Sequence, residues 1–266
     1  MTYNSIVLVK QVPDTANIFG EVMKPDGTVN RAKLPTIFNP EDKVALEFAL
    51  QVKDQYGGKV TAVTMGPPKA AELLKECLYM GADDVVLVTD RKFAGADTLA
   101  TSYVLNKVIE KIGNFDIIFA GRQAIDGDTA QVGPQTAEKL GLPQITYTEK
   151  ILELNNRHIK VQRLIDGGHE ILRSELPLLL TVVKEASVPR PFSAKRVMTF
   201  KNHIPVQLTT EDLDIDLERC GLNGSPTKVY NIESVVLSAG DHETIEPTKE
   251  GLEKLIDKLM NDHIFG

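Results

Sequence analysis

The sequence predicts an α/β fold: a mostly parallel sheet with helices on both faces, an antiparallel strand extension and a C-terminal arm. Three observations lead there. Residues 1–140 alternate short apolar runs with longer helical periodicities, a β-α-β-α pattern that folds as a parallel sheet with right-handed crossovers. Residues 145–183 change to strand-like runs broken by the hairpin signals Asn155-Asn156 and Asp166-Gly167-Gly168. Residues 187–247 carry Pro189, Pro191, Pro205 and Pro226 and few long apolar runs, which reads as an arm, either a long surface wrap or, as favoured here, a subunit-binding extension.

Each element has its own signal. Ser5 to Lys10 is the first strand. Glu41 to Tyr56 is helical, with Val44, Ala45, Phe48, Ala49 and Val52 on one face, Asn39 as its cap and Pro40 in its first turn. Lys59 to Met65 is a Val-rich strand, and Ala70 to Met80 a helix stopped by Gly81. Asp84 to Thr89 is the next strand, Asp97 to Ile112 the next helix and Ile117 to Ala120 the next strand. Gln135 to Leu140 is helical and ends at Gly141. Ile145–Leu154, His158–Ile165, Glu170–Leu176 and Leu178–Val183 are expected as antiparallel strands extending the same sheet. Leu252, Leu255, Ile256, Leu259 and Met260 trace one face of a terminal helix. The expected organisation is a nucleotide-binding α/β domain over 1–187 and a partner-binding arm with its helix over 188–266.

Composition narrows the function. With 266 residues, 42% apolar and 25% charged, the chain has ordinary globular proportions and can build a core without staples. Two cysteines, Cys77 and Cys220, argue against a disulfide framework or a Cys-rich metal site. A net charge of −7 argues against broad nucleic-acid binding. The N-terminus runs directly into a strand, and no apolar window is long enough to span a bilayer, so the expected location is cytoplasmic.

The stretch Gly121 to Pro134 is the most informative. It joins a strand to a helix, the place in a parallel sheet where helix N–H groups attract phosphates. It is neither a Gly-Lys-Ser/Thr loop nor Gly-x-Gly-x-x-Gly, and Arg122 is its single basic residue. Asp126 and Asp128 are read as turn residues that cap the following helix, rather than as a metal or acid/base pair. The strand ends Val9-Lys10, Met65-Gly66-Pro67, Thr89-Asp90 and Gly121-Arg122 converge on one sheet edge. Thr98 and Thr101 share a helix face beside it. Their hydroxyls either meet a heterocycle or bond backward to carbonyls while Asp97 caps the helix. Cys77 is core, the five histidines are surface or hairpin residues, and no catalytic constellation is expected.

With these residues in hand, the chain resembles the beta subunit of electron-transfer flavoproteins. The carriers are Val9-Lys10-Gln11-Val12-Pro13-Asp14, Asn39-Pro40-x-Asp42, Met65-Gly66-Pro67, Met80-Gly81-Ala82-Asp83, Gln123-Ala124-Ile125-Asp126-Gly127-Asp128 with Gln131 and Gly133, Ile165-Asp166-Gly167-Gly168 and Leu176-Pro177. The resemblance implies a Rossmann-like, adenine-nucleotide-α-hydrolase-like fold and a heterodimer with an FAD-carrying alpha subunit. It implies a nucleotide site of Leu8, Asn39, Pro40, Glu41, Asp42, Met65, Thr98, Thr101, Gly121, Arg122, Gln123, Ala124, Ile125, Asp126, Gly127, Asp128, Thr129, Ala130, Gln131 and Val132. In simple carriers that site holds AMP. In the electron-bifurcating branch, which residues 95–102 and 122–129 resemble, it holds FAD that accepts hydride from NADH. There Arg122 is placed to stabilise the anionic reduced flavin.

Further partners implied are ferredoxin or flavodoxin and a flavin-dependent dehydrogenase of acyl-CoA, enoyl-CoA or lactate type. The dehydrogenase is met by a segment containing Arg190, Phe192, Ala194, Lys195, Arg196 and Met198. Where this chain has Ala194, simple carriers place a Leu that anchors acyl-CoA dehydrogenase, a departure that puts that docking mode in question. Two other functions compete. An ATP-using enzyme of the same fold would carry a Ser-Gly-Gly-x-Asp-Ser loop where this chain has Lys10-Gln11-Val12-Pro13-Asp14. A nucleotide-binding stress or signalling module would be shorter, without the hairpins and arm.

Overall fold

A computed structural model of the chain describes residues 1–14, 35–227 and 244–264. The strands and helices in chain order are β1 (Ser5–Leu8), β2 (Gln11–Pro13), β3 (Thr36–Phe38), α1 (Pro40–Tyr56), β4 (Val60–Met65), α2 (Ala71–Met80), β5 (Asp84–Val88), α3 (Thr98–Ile112), β6 (Ile117–Gly121) and α4 (Val132–Leu140). There follow β7 (Gln144–Asn155), β8 (His158–Ile165), β9 (Gly168–Glu175), β10 (Leu178–Val182), α5 (Ala194–Phe200), β11 (Val206–Leu208) and α6 (Lys249–Asn261). The chain divides into two compact units, Met1–Lys228 and Val229–Gly266.

In the first unit the described residues form a nine-stranded sheet in the order β11-β5-β4-β1-β6-β10-β7-β8-β9. The expected α/β fold is observed. Alternating side chains build one apolar layer on each face. Val7, Ile117 and Phe119 join α1 and α2 on one side, while Ile6, Leu8, Ile118 and Ala120 join α3 and α4 on the other. Leu8 lies in register with Val63 and with Ala120, so the strand ends align on one edge.

Two expectations change. Leu178–Val182 is not part of the antiparallel extension: β10 inserts between β6 and β7 and runs parallel to both. Its five residues are all buried, as a central strand requires, whereas β9 has no buried residue, as an edge strand allows. The first compact unit also extends past residue 187. Arg190 bonds Glu47, Arg196 donates to the carbonyls of Leu78 and Ala82 at the end of α2, and β11 adds a parallel edge to β5. The start of the arm is thus held by charge pairs and strand pairing, neither of which gives a periodic apolar signal.

In the second unit α6 is capped by Thr248, whose hydroxyl accepts the Gly251 N–H, and Leu252, Ile256 and Met260 are exposed along it. Among the described residues no helix is long and apolar enough to cross a membrane.

Candidate functional site

A cavity of about 960 Å³ opens at the carboxyl edge of the sheet, over the ends of β1, β4, β5 and β6. In open parallel sheets this edge is where ligands bind. Apolar walls come from Leu8, Val63, Met65, Leu105 and Ala120. The N-termini of α3 and α4 both face the cavity, so two positive helix ends meet there.

Of the expected site residues, Leu8, Asp42, Met65, Thr98, Thr101, Gly121, Arg122, Gln123, Ala124, Gly127, Thr129, Ala130, Gln131 and Val132 line the cavity. Asn39, Pro40, Glu41, Ile125, Asp126 and Asp128 are not among the lining residues. The bonds that Asn39, Asp126 and Asp128 make differ from the caps expected of them. Asn39 makes no side-chain cap to α1; its amide donates to Gln123 O (2.8 Å) and its carbonyl oxygen accepts the Ile125 N–H (3.2 Å). Asp126 pairs with Lys10 Nζ at 2.8 Å, and Asp128 accepts from Gln123 Nε2 at 2.8 Å. The cap position of α4 is Gln131. A carboxylate seeks the nearest donor in space, and here a lysine from another strand is nearer than the helix start.

Helix α1 laces the loop from behind. Glu41 accepts from Arg122 Nη2 (2.8 Å) and from the Gln123 N–H (3.0 Å). Asp42 accepts the Lys10 N–H (2.8 Å) and the Gly121 N–H (3.1 Å), joining the ends of β1 and β6. Burial pushes the Asp42 carboxyl up to about 7, against the downward pull of Asn39 and those two amides. The close approach explains Gly121: a Cβ there would lie 2.4 Å from Asp42 Oδ1 and 2.8 Å from its backbone nitrogen. In the loop itself, Asp128 (φ 47°) and Ala130 (φ 53°) sit in the left-handed region. Backbone of that kind costs energy and clusters at ligand clamps.

Arg122 lies on Glu41 and 5.8 Å from the Tyr147 ring, and its Nε is buried without a partner among the described residues. Thr98 donates to Gln131 Oε1 at 2.7 Å, while Asp97 accepts from the Leu99 and Ala100 N–H groups. So Asp97 is the helix cap, and Thr98 looks across to α4 rather than back along its own helix. Burial opposes the ionised form of Asp97, but bonds from Ala100, Thr227 and Leu99 hold its carboxyl below the ordinary value. The sequence reading missed Gln207 and Thr209, which line the same cavity from the end of β11. No short-range signal marks them, because only the pairing of β11 with β5 brings them there.

The expected partner-facing residues separate into two groups. Arg190 is tied to Glu47 through its backbone N–H, Nε and Nη2, and to Asp54 at 2.8 Å. Arg196 is turned onto the end of α2. Phe192, Ala194, Lys195 and Met198 remain exposed, with Phe192 held edge-on against Tyr79 at 5.6 Å.

Residues 26–204 match the electron transfer flavoprotein domain. The electron transfer flavoprotein subunit beta of Clostridium acetobutylicum is 45% identical over 98% of this chain and 99% of its own length. The chain belongs to the beta-subunit branch of the electron transfer flavoprotein family. Two other relatives extend the range. The acryloyl-CoA reductase electron transfer subunit gamma of Anaerotignum propionicum is 44% identical over 97% of this chain and 98% of its own length. The subunit CarD of the caffeyl-CoA reductase-Etf complex of Acetobacterium woodii is 42% identical over 98% and 99%. The family resemblance and the fold read from the sequence are both borne out.

Proposed function

We propose that this chain is the beta subunit of a heterodimeric, electron-bifurcating electron transfer flavoprotein and that its sheet-edge cavity holds FAD. The observation that carries the reading is the corner where Thr98 and Thr101 of α3 meet Gln131 and the loop 121–132, at the N-terminal ends of two adjacent parallel helices. A volume of about 960 Å³ is near the upper end of the roughly 300–1,000 Å³ usual for small-molecule sites, which favours a dinucleotide over AMP. The names of the relatives in A. propionicum and A. woodii, which tie them to an acryloyl-CoA reductase and a caffeyl-CoA reductase, support a partner of that kind.

The residues present fit such a group. The buried, unpartnered Nε of Arg122 and the uncapped start of α4 offer donors to an anion. Gly121 lets α1 close on the end of β6 and is itself part of the cavity lining. Bound there, FAD supplies hydride acceptance from NADH and division of the electron pair between ferredoxin or flavodoxin and, through the alpha subunit's FAD, a partner dehydrogenase. The protein's own part is to bind, orient and charge-balance. Arg122 brings positive charge, tempered by Glu41 at 2.8 Å, to a wall of the cavity. Thr98 and Thr101 bring hydroxyls to a ring edge. The left-handed loop residues aim main-chain N–H groups at phosphate. The exposed Phe192, Ala194, Lys195 and Met198 form the face offered to the dehydrogenase, with Arg190 and Arg196 holding that face in place. The arm and α6 pack on the alpha subunit or on the dehydrogenase, in the cytoplasm.

Co-purification with the alpha subunit, followed by cofactor release and identification, tests the reading. The expected result is two FAD per heterodimer, one held by this chain. One FAD and one AMP would place the protein among the simple carriers instead.

A further inference from the structure

Residues 89–97, between β5 and α3, form one wall of the cavity, with Asp90, Ala94, Gly95, Ala96 and Asp97 in its lining. Small residues give such a segment few side chains with which to hold itself. Apart from its own turns and the start of α3, every hydrogen bond of this wall among the described residues goes to one stretch, 208–227. That stretch leaves the end of β11 and runs as a strap along the wall to the boundary of the first unit. Gln207 and Thr209 line the cavity where the strap begins, but residues 210–227 line no part of it.

Two aspartates pin the wall in the same way. Asp90 accepts the Lys92 N–H of its own turn with one oxygen (3.0 Å), and the Thr210 N–H and hydroxyl with the other (3.2 and 2.7 Å). Asp97 accepts the Leu99 and Ala100 N–H groups with one oxygen (3.0 Å each), and the Thr227 N–H and hydroxyl with the other (3.1 and 2.7 Å). Each carboxylate thus closes a turn and clamps a threonine, and hydrogen bonds to a charged acceptor are the stronger kind. Near the second clamp the Asp97 N–H donates to Ser225 Oγ (2.8 Å), whose single hydrogen goes to Gly221 O (2.7 Å). The Leu222 N–H donates to Ala94 O at 3.0 Å. Gly221 (φ 54°) is where the two backbones meet: a Cβ there would lie 2.2 Å from Lys92 O. Phe93 of the wall and Leu213 and Cys220 of the strap belong to the same apolar cluster.

We propose that Thr210, Ser225 and Thr227 are positioning residues: through Asp90 and Asp97 they fix the wall 89–97, so that a bound nucleotide and the closed strap stabilise each other. The inference rests on the nucleotide-site reading above, though not on which nucleotide is held. A ligand that packs on the wall binds better when the wall is already fixed, because less order has to be imposed on binding. By linkage the strap then opens less often when the ligand is bound, by the same factor. Local opening of this kind is what amide hydrogen exchange reports.

Hydrogen exchange of the full-length chain, with and without FAD or AMP, reads the strap directly. Bound nucleotide should slow the amides of residues 217–227 at least fivefold. Those residues do not line the cavity, so protection reaches them through the wall. Thr227→Val and Ser225→Ala should each weaken nucleotide binding at least threefold and reduce that protection. Thr227→Ser keeps the hydroxyl and should stay within twofold of the parent. Thr227 is exposed, so removing its hydroxyl leaves the core intact, and thermal melts of all three variants check this. Three results overturn the inference and leave the functional reading standing: strap amides indifferent to bound nucleotide, variants that bind as the parent does whatever their melts, or a Thr227→Ser that behaves like Thr227→Val. A parent chain that binds neither FAD nor AMP removes both.

Discussion

Asp42 shows how much can rest on one side chain. It joins two strand ends through two backbone N–H groups, and burial raises its carboxyl to about 7. The neighbouring charge that adds to the rise is Glu41 on its own helix, and the buried Cys77 thiol of α2, itself pushed up by burial, faces it as a neutral group. A folded-state value above the ordinary one means that the protonated form is the better folded species. The stabilisation is complete below about pH 4 and is lost as pH rises toward 7. Asp42→Asn should abolish that slope and carry a constant cost of roughly 1–3 kcal/mol, because its NH₂ faces a backbone donor. Urea unfolding of both proteins at pH 5 and pH 8 should show the parent's advantage shrinking at the higher pH; equal differences at the two values would contradict the assignment. None of this was legible in the sequence, where Asn39-Pro40-x-Asp42 reads as a helix start. Its side chains serve other strands because α1 packs within reach of β6.

At the scale of elements, the loop between β6 and α4 is strained in front and laced behind. Asp128→Ala removes the bond to Gln123 Nε2 and places Ala at a positive φ, so FAD retention should fall about tenfold. Asp128→Asn, which tolerates that backbone and keeps an acceptor, should stay near the parent. Equilibrium dialysis separates the two, and equal retention by Ala and parent would show that the loop is not the phosphate cradle. Gly121→Ala forces α1 away from β6, since the atoms it meets are backbone and a buried carboxylate, and should destabilise by about 1–3 kcal/mol. A thermal melt within error of the parent would mean that α1 can shift without cost. The sequence located this loop through its Gly and Asp residues and the strand before it. It misassigned Asp126 and Asp128 as caps, because turn residues look alike whether they bond the next helix or a distant lysine.

The whole molecule has a first unit that closes on itself by residue 228 and a second with an amphipathic helix whose Leu252, Ile256 and Met260 are exposed. A chain ending at Lys228 should therefore keep its cooperative melt and its nucleotide, with its far-UV spectrum losing only the share of α6, but lose association with the alpha subunit. Gel filtration of the co-expressed pair checks this: a complex that survives the truncation would place the main contact on the first unit.

The sequence by itself determined the parallel strands from β1 to β6, the helices between them, the sheet edge where the cavity opens and the family. Periodicity, glycine stops and the Gly121–Pro134 stretch are local signals, readable a few residues at a time. Tertiary structure alone decided that β10 enters the centre of the sheet, that β11 returns to its edge and brings Gln207 and Thr209 to the cavity, and that Glu41, Asp42 and Glu47 lie buried against partners far along the chain. It alone aligned Thr98, Ser102 and Asn106 with their partners on α4. The reason is physical. A hydrogen bond or ion pair between distant residues leaves no periodic trace in either segment, so it exists only once packing has brought both ends together.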